Sequence, residues 1–312
     1  MGHRILVTGG AGYLGSTLVP ELLAAGHQVT VLDNFMYHQN SLAHVCHDPG
    51  FEVVRGDARV EATVLPLLKR ADIVIPLAAY VGAPLCARDP VGATTTNHDA
   101  IVSMLKHASQ HQRILMPTTN SAYGTGDANH FCTEDSPLRP ISHYAIEKVK
   151  VEKALMQHPN AISFRLATVF GMSPRMRIDL LVNDFTYRAV HDRYVVLFEA
   201  GFKRNYIHVR DVARAFLHGI DHYEKLNGQI FNVGLSDANV SKQELCEVIR
   251  RQVPDFTFVE APIGKDPDQR NYIVSNAKIE ATGYRTRVSL EAGVRELIKG
   301  YTMIRNSVYG NV

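Results

Sequence analysis

The sequence is poor in the features that would assign it to a specialised class. Four cysteines, Cys46, Cys86, Cys132 and Cys246, are scattered over 312 residues, and none forms a C-x-x-C pair. That spacing speaks against a disulfide framework or a zinc site and suits reduced thiols in the cytoplasm. Histidines number fifteen, but His44 and His47 run directly into Asp48-Pro49-Gly50, which reads as a helix end and turn, so no metal is expected. Charge of one sign is lacking as well. Lysine and arginine (33) nearly balance aspartate and glutamate (31), leaving +2 at neutral pH. That excludes the basic footprint of a nucleic-acid or membrane-surface binder. No apolar run approaches the ~20 residues that cross a bilayer. The chain enters a strand pattern within a few residues of Met1, so no signal peptide is expected. Internal repeats and low-complexity segments are absent. At 46% hydrophobic and 21% charged residues, the composition is that of an ordinary globular protein with one large α/β domain or two lobes.

The first fifteen residues carry the strongest positive signal. Arg4-Ile5-Leu6-Val7-Thr8 is a short apolar strand, Gly9-Gly10-Ala11-Gly12-Tyr13-Leu14-Gly15 follows, and helix periodicity begins at Ser16. Strand, glycine turn and helix together form a dinucleotide-binding opening. Gly9 permits the tight turn, Gly12 lets backbone approach a pyrophosphate, and Gly15 lets the helix pack on the strand. The helix N-terminus then offers free N–H groups to the phosphates. A second strand, Gln28–Leu32, ends in Asp33-Asn34, with Asp33 placed 18 positions after Gly15. A carboxylate there accepts hydrogen bonds from the adenosine ribose and repels a 2′-phosphate, which points to NAD rather than NADP.

Apolar strands and helical patterns alternate through the first half. A helix near Asn40–His47 precedes strand Phe51–Arg55, and helix Val60–Arg70 precedes strand Asp72–Ile75. Helix Thr94–Gln110 precedes strand Arg113–Pro117, and helix Tyr144–Gln157 precedes strand Ala161–Arg165. This alternation implies a doubly wound parallel sheet with ligands at the strand C-termini. The pattern loosens in the loop Gly171–Arg177, before a helix over Leu180–His191. Strand-then-helix character returns over Tyr206–Tyr223, followed by a strand at Gln229–Val233 and a helix from Ser241 to about Gln252. The expected organisation is a nucleotide domain over 1–168, with 206–233 returning to it. A smaller C-terminal α/β substrate-binding lobe then comprises 169–205 and 234–312.

Two further features carry chemistry. Tyr144-x-x-x-Lys148 places a phenol and an ammonium on one helix face. The cation favours the phenolate and lowers its pKa, so that Tyr144 can exchange a proton with a sugar hydroxyl. Upstream, Pro117-Thr118-Thr119-Asn120-Ser121-Ala122-Tyr123-Gly124 puts hydroxyls at the end of an apolar strand, facing the cofactor crevice. A hydroxyl there can hold the reacting oxygen.

By these residues, the chain resembles the extended short-chain dehydrogenase/reductase family, which has a Rossmann fold. More narrowly, it is similar to the NAD-dependent nucleotide-sugar epimerase/dehydratase group typified by UDP-galactose 4-epimerase. The resemblance rests on Thr8–Gly15, Asp33-Asn34, Gly56-Asp57-Ala58-Arg59, Leu77-Ala78-Ala79, Thr119-x-x-x-Tyr123-Gly124 and Tyr144-x-x-x-Lys148. It implies that Tyr144 is the acid/base, that Lys148 holds the nicotinamide ribose and tunes Tyr144, and that Thr119 occupies the catalytic Ser/Thr position. It places Gly9, Gly12, Tyr13, Leu14, Asp33, Asn34, Asp57, Ala58, Leu77, Ala78, Ala79 and Asn97 around NAD. On the substrate side it implies Val81, Asn120, Ser121, Thr168, Asp179 and Leu180. It adds Arg204 of Arg204–Asp211 and Arg270 of Asp266–Arg270 as grips on a nucleotide diphosphate, a task suited to planar guanidinium donors.

Departures from the family pattern narrow the expected activity. Family 4,6-dehydratases carry an Asp-Glu pair after the catalytic threonine; here Asn120 and Ser121 stand there, and neither is an acid or base near neutral pH. Family 3,5-epimerases place a cysteine before the Tyr-Gly equivalent, where this chain has Ser121-Ala122, and no carboxylate recognition for uronate decarboxylation stands out. Thr168 and Asp179 replace asparagines common in relatives, and Asp179 beside a phosphate needs Arg175 or Arg177 to offset it.

The expected function is therefore an NAD-dependent nucleotide-sugar epimerase, at C4, acting through a transient 4-keto sugar. The alternatives are an NAD(P)-dependent 4-keto nucleotide-sugar reductase or dehydrogenase, a 4,6-dehydratase and, least favoured, a non-catalytic NAD(H)-binding regulator. The resemblance also implies a homodimer through helices Thr94–Gln110 and Tyr144–Gln157, although their apolar positions can equally face only the sheet.

Overall fold

A computed structural model describes residues 2–125, 130–264 and 270–305 of the chain. Its strands are β1 (Arg4–Thr8), β2 (Gln28–Asp33), β3 (Phe51–Arg55), β4 (Ile73–Pro76), β5 (Arg113–Thr119), β6 (Phe131–Cys132) and β7 (Ala161–Leu166). They continue with β8 (Thr168–Phe170), β9 (Tyr194–Leu197), β10 (Lys203–His208), β11 (Ile230–Val233), β12 (Asn239–Ser241), β13 (Thr257–Glu260) and β14 (Ile273–Val274). Seven of them form one sheet in the order β11-β7-β5-β4-β1-β2-β3, with every neighbouring pair parallel. This is the doubly wound sheet that the alternating pattern predicts.

Side-chain alternation explains why the central strands read as unbroken apolar runs. Ile5 and Val7 pack with Leu18, Leu22, Phe164 and Phe216 on one face, while Leu6 packs with Val74, Ile114, Met116 and Val151 on the other. Helices cover both faces, so both sets of side chains leave water. Helices Gly15–Ala24 and Val209–Asp221 cover the first face; Glu61–Leu68, Ala100–His107 and His143–Leu155 cover the second.

The order of strands reverses between β1 and β4, and ligands bind in the crevice that such a reversal opens at the strand C-termini. The glycine turn leaves β1 and Leu77-Ala78-Ala79 leaves β4 at this point. After β7 the chain steps through Ala167 into β8, which pairs parallel with β10, and β10 pairs antiparallel with β12. This small sheet anchors a second core around Phe170, Val182, Leu245, Phe256, Leu297 and Tyr301. Within 206–233, β10 thus belongs to the small sheet, whereas β11 is hydrogen-bonded to β7 at the edge of the large one.

Two helices differ from their sequence expectation. The one near Asn40–His47 shrinks to a single 3-10 turn, Ala43–Val45, and the Ser41 hydroxyl donates to the Ala11 carbonyl at 2.7 Å, tying this segment to the glycine turn. The stretch over Thr94–Gln110 contains a π-helical turn at Thr95–Asp99 before the α-helix Ala100–His107. Such turns widen a helix and frequently mark functional sites. Among the described residues, no helix is long and apolar enough to cross a membrane.

Candidate active site

A cavity opens at the strand-order reversal. Its floor is made by the glycine turn, and two glycines there are required by contact. Gly9 has φ +69°, and a Cβ on it would stand 2.6 Å from the Ala78 backbone; one on Gly15 would stand 2.4 Å from the Gly10 carbonyl. Gly9, Gly12, Tyr13 and Leu14 line the cavity, and no side chain caps the helix that starts at Gly15. The helix N-terminus therefore faces the cavity with backbone N–H groups and a partial positive charge, a cradle suited to a pyrophosphate.

Asp33 ends β2 on the same wall, beside Asn34. Its carboxylate accepts from the Ala11 N–H at 3.0 Å and the Phe35 N–H at 2.8 Å. Burial nevertheless raises its pKa above the ordinary carboxylate value, outweighing those two donors and the charge of Arg175. Asp57, Ala58, Leu77, Ala78 and Ala79 also line the cavity. Asp57 is paired with Arg59 at 2.6 Å, which lowers its pKa. A carboxylate at a strand end, close-approach glycines and an uncapped helix N-terminus are what the adenosine ribose and pyrophosphate of NAD need, so the residues present fit that cofactor. Asn97 stands just behind the described lining, against Tyr80. It is buried, and its amide both accepts from the Tyr80 N–H at 2.7 Å and donates to the Tyr80 carbonyl at 2.8 Å. It holds the Tyr80-Val81 backbone in place.

Thr119, Tyr144 and Lys148 meet on the opposite wall. Thr119 is the last residue of β5. Tyr144 and Lys148 lie one turn apart on the helix His143–Leu155, whose N-terminus is capped by the Ser142 hydroxyl accepting from the Ala145 N–H. Burial pushes the Tyr144 phenol up to about 12, against the pull of Arg177, Arg270 and a hydrogen bond with Thr119. Burial likewise brings the Lys148 ammonium down to about 8, and its Nζ donates to the Pro117 carbonyl at 3.3 Å. Lys148 is not among the groups that pull the phenol down here. In this structure the ammonium engages a carbonyl of β5, and desolvation dominates at Tyr144.

A buried polar network fixes this wall from below. Glu152, one turn beyond Lys148, accepts from Thr118 and Ser163 at 2.8 Å each and pairs with Arg165 at 2.6 Å. Arg165 also donates to the Tyr123 hydroxyl at 3.1 Å, joining β7 to the turn that follows Thr119. With both charges buried and hydrogen-bonded, removal of either would strand the other.

On the substrate side Val81, Ser121, Thr168, Leu180 and Arg270 line the cavity, and the Arg270 guanidinium donates to the Ser121 hydroxyl. Asp266 to Gln269 lie outside the described residues. Three other expected residues are absent from the described lining. Asn120 is fully buried, Arg204 is buried on β10, and Asp179 is turned to Arg177, with which it pairs at 2.5 Å. Asn120 follows Thr119 in a tight 3-10 turn, which directs the hydroxyls of Thr119 and Ser121, and not the intervening amide, to the cavity.

Sequence reasoning overlooked part of the wall. Arg175 and Arg177 line the cavity, whereas they entered the sequence reading only as counter-charges for Asp179. The signal was present, as two arginines in a short loop with glycine and proline. Tyr37 and Tyr272 also line it, and no local pattern distinguished them.

The model of the "NAD dependent epimerase/dehydratase family" matches residues 5–234. A UDP-glucose 4-epimerase of Mycolicibacterium smegmatis is 30% identical over 95% of this chain and 97% of its own length. UDP-glucuronic acid decarboxylase 1 of Arabidopsis thaliana is 27% identical over 96% of this chain and 69% of its own. Among solved structures, the UDP-glucose 4-epimerase of Thermus thermophilus in complex with NAD superposes with a TM-score of 0.81. It is 26% identical, covering 96% of this chain and 99% of that one.

Proposed function

We propose that this chain, which belongs to the NAD dependent epimerase/dehydratase family, is a nucleotide-sugar epimerase acting at C4. The protein is an NAD-dependent enzyme of the group that includes nucleotide-sugar epimerases, dehydratases and decarboxylases. The choice within that group rests on one observation. Among the described residues lining the cavity, the only carboxylates are Asp33 and Asp57, both on the wall assigned to adenosine. Beside Thr119 and Tyr144 stand Ser121, Arg177, Arg270 and, behind the cavity lining, Cys86, whose thiol is pushed up to about 11 by burial and so stays protonated. Dehydration needs an acid to protonate a leaving hydroxyl and a base to remove a neighbouring proton, and neither serine nor arginine serves near neutral pH. Oxidation and re-reduction of one carbinol needs only a single acid/base.

In this reading the Thr119 hydroxyl holds the sugar O4, and the Tyr144 phenolate takes its proton. NAD held between the glycine turn and Asp33 would supply the reversible hydride acceptor that this oxidation needs. Lys148 supplies the positive charge that favours the phenolate once a cationic nicotinamide is close, reversing the upward push of burial. Arg270 and Arg177 hold the diphosphate, and Asn34, Leu14 and the Leu77–Ala79 backbone position the cofactor. The 4-keto sugar turns over in the cavity, so that the hydride would return to the opposite face of C4 while Tyr144 gives its proton back to O4.

Decarboxylation of a nucleotide uronate is the second reading. Arg270 reaches the Ser121 hydroxyl next to Thr119, where a guanidinium can pair with a sugar carboxylate. Product NMR after incubation with UDP-, GDP-, CDP- and dTDP-sugars, uronates included and no cofactor added, separates the possibilities. Interconversion of two sugars differing only at C4, without net NADH, is the expected result. Loss of carbon dioxide from a uronate selects the second reading. Turnover that appears only in a parallel reaction supplied with NAD or NADPH, with stoichiometric consumption, overturns both.

A further inference from the structure

We propose that Tyr37 and Arg175 form a clasp that closes the adenosine end of the cavity and slows the exchange of NAD. The two residues reach the cavity from distant parts of the chain. Tyr37 lies in the loop after β2, and Arg175 in the loop after β8. The guanidinium lies over the Tyr37 ring, 4.2 Å from its centroid, while Arg175 is 6% exposed. A cation held against a ring and away from water is the arrangement in which this contact is strongest. Asp33, the expected ribose acceptor, lies close enough for its charge to act on Arg175. The clasp therefore sits where adenosine would be held.

Both loops are braced for this contact. The backbone N–H of Arg175 donates to the Ser16 hydroxyl at 3.2 Å, in the first turn of the helix that the pyrophosphate would face. Phe35 (φ 54°) and His38 (φ 52°) flank Tyr37 in the left-handed region, which bulky side chains rarely occupy. Strain of this kind persists only where the surroundings enforce it, and it clusters at ligand clamps. The strained turn presents the Tyr37 ring to an arginine more than 130 positions away in sequence. A dinucleotide lying in the cavity can leave past this end only if the ring and guanidinium part.

Slow exchange suits an enzyme that regenerates its cofactor in every cycle, but the clasp concerns the NAD site and not which sugar carbon reacts. Its test uses no sugar. Purified full-length protein is loaded with NADH and mixed with excess NAD, and the decay of bound NADH fluorescence gives the dissociation rate. Y37L and R175A should each release NADH about tenfold faster than wild type. The double variant should be little faster than either single one, because both break the same contact. Y37F keeps the ring face and should stay within about twofold of wild type. Thermal unfolding of each variant shows whether the fold is retained, and Y37F gives a reading even if R175A does not fold. Dissociation from Y37L at the wild-type rate, or Y37F as fast as Y37L, overturns the clasp. So does acceleration in R175A alone, which would mean that Arg175 acts on the phosphates by charge without the ring. Because no turnover is measured, a failed epimerase assay leaves this outcome readable.

Discussion

The wall that carries Thr119, Tyr144 and Lys148 and the wall that carries Arg175 and Arg177 face the same cavity but are held by contacts of different reach. Around Tyr144 and Lys148 on the first, partners are near in sequence, since Glu152 meets Arg165 13 residues on and Lys148 meets Pro117 31 residues back, while Arg270 reaches Ser121 over 149. The second is fastened across the chain. The Ser173 hydroxyl donates to the Tyr13 carbonyl over 160 positions, the Tyr13 hydroxyl to the Gly171 carbonyl over 158, and Asn183 brackets the loop by bonding Gly171 and Arg177. Glu296 in the helix Leu290–Tyr301 accepts from the Met172 N–H at 3.2 Å. The groups proposed for the chemistry stand mostly on short-range structure, and the enclosing loop mostly on long-range structure. The reacting groups can thus stay fixed while the loop that covers the ligands is reshaped.

The largest effect should come from the first wall. Tyr144→Phe removes the proposed proton acceptor, so turnover should fall by roughly 10²–10⁴-fold while NAD stays bound. Product NMR with parallel quantification of released cofactor checks both halves, and undiminished turnover would refute the mechanism. Glu152→Ala leaves a buried guanidinium and two hydroxyls without their acceptor, and should cost about 3–5 kcal/mol of stability in urea unfolding. A cost below about 1 kcal/mol would mean that Arg165 finds water or another partner and that the wall is less rigid than its hydrogen bonds imply.

Lys148→Met tests whether this wall is kept at a cost to stability. Desolvation lowers the ammonium pKa to about 8, so its charged form destabilises the fold at neutral pH. The variant should be inactive yet about 1–3 kcal/mol more stable at pH 7. Above pH 8 the folded lysine loses its proton while the unfolded one keeps it, up to the ordinary value near 10.5. Wild-type stability therefore rises with pH over that interval and the difference closes. A constant difference across this range would show that desolvation of Lys148 is not its source.

The second wall should yield less. Burial alone would raise the Glu296 carboxyl, but hydrogen bonds from His208 and Arg210 outweigh it and bring the group to about 2. The resulting stabilisation is present above the ordinary carboxylate range and is lost as pH falls from about 4.5 toward 2. Glu296→Gln should cost about 1–2 kcal/mol at pH 7 and almost nothing near pH 2. Acid titration of both proteins by circular dichroism is the check, and a loss that persists at pH 2 would assign it to packing.

What could be read before folding followed the same division. The unbroken run Ile5-Leu6-Val7, the glycines at 9, 12 and 15, Asp33 at a strand end and the i, i+4 pair Tyr144/Lys148 each carry their meaning within a few residues. Backbone geometry there is dictated by sterics and side-chain periodicity. From those features the parallel sheet is legible in the sequence alone, and so are the glycine turn and the helix of Tyr144 that line the cavity. Tyr37, Arg175 and Arg177 carry no such local meaning. An arginine in a glycine–proline loop becomes part of a site only when Tyr13, Ser16 and Asn183 fasten that loop beside it. The burial of Asn120, Arg204 and Asn97 away from the cavity was likewise settled by packing between segments far apart in the chain. Hydrogen bonding and periodicity act between near neighbours and leave a trace in sequence. Which distant surfaces meet is decided by the joint burial of whole elements, and that exists only once the chain has folded.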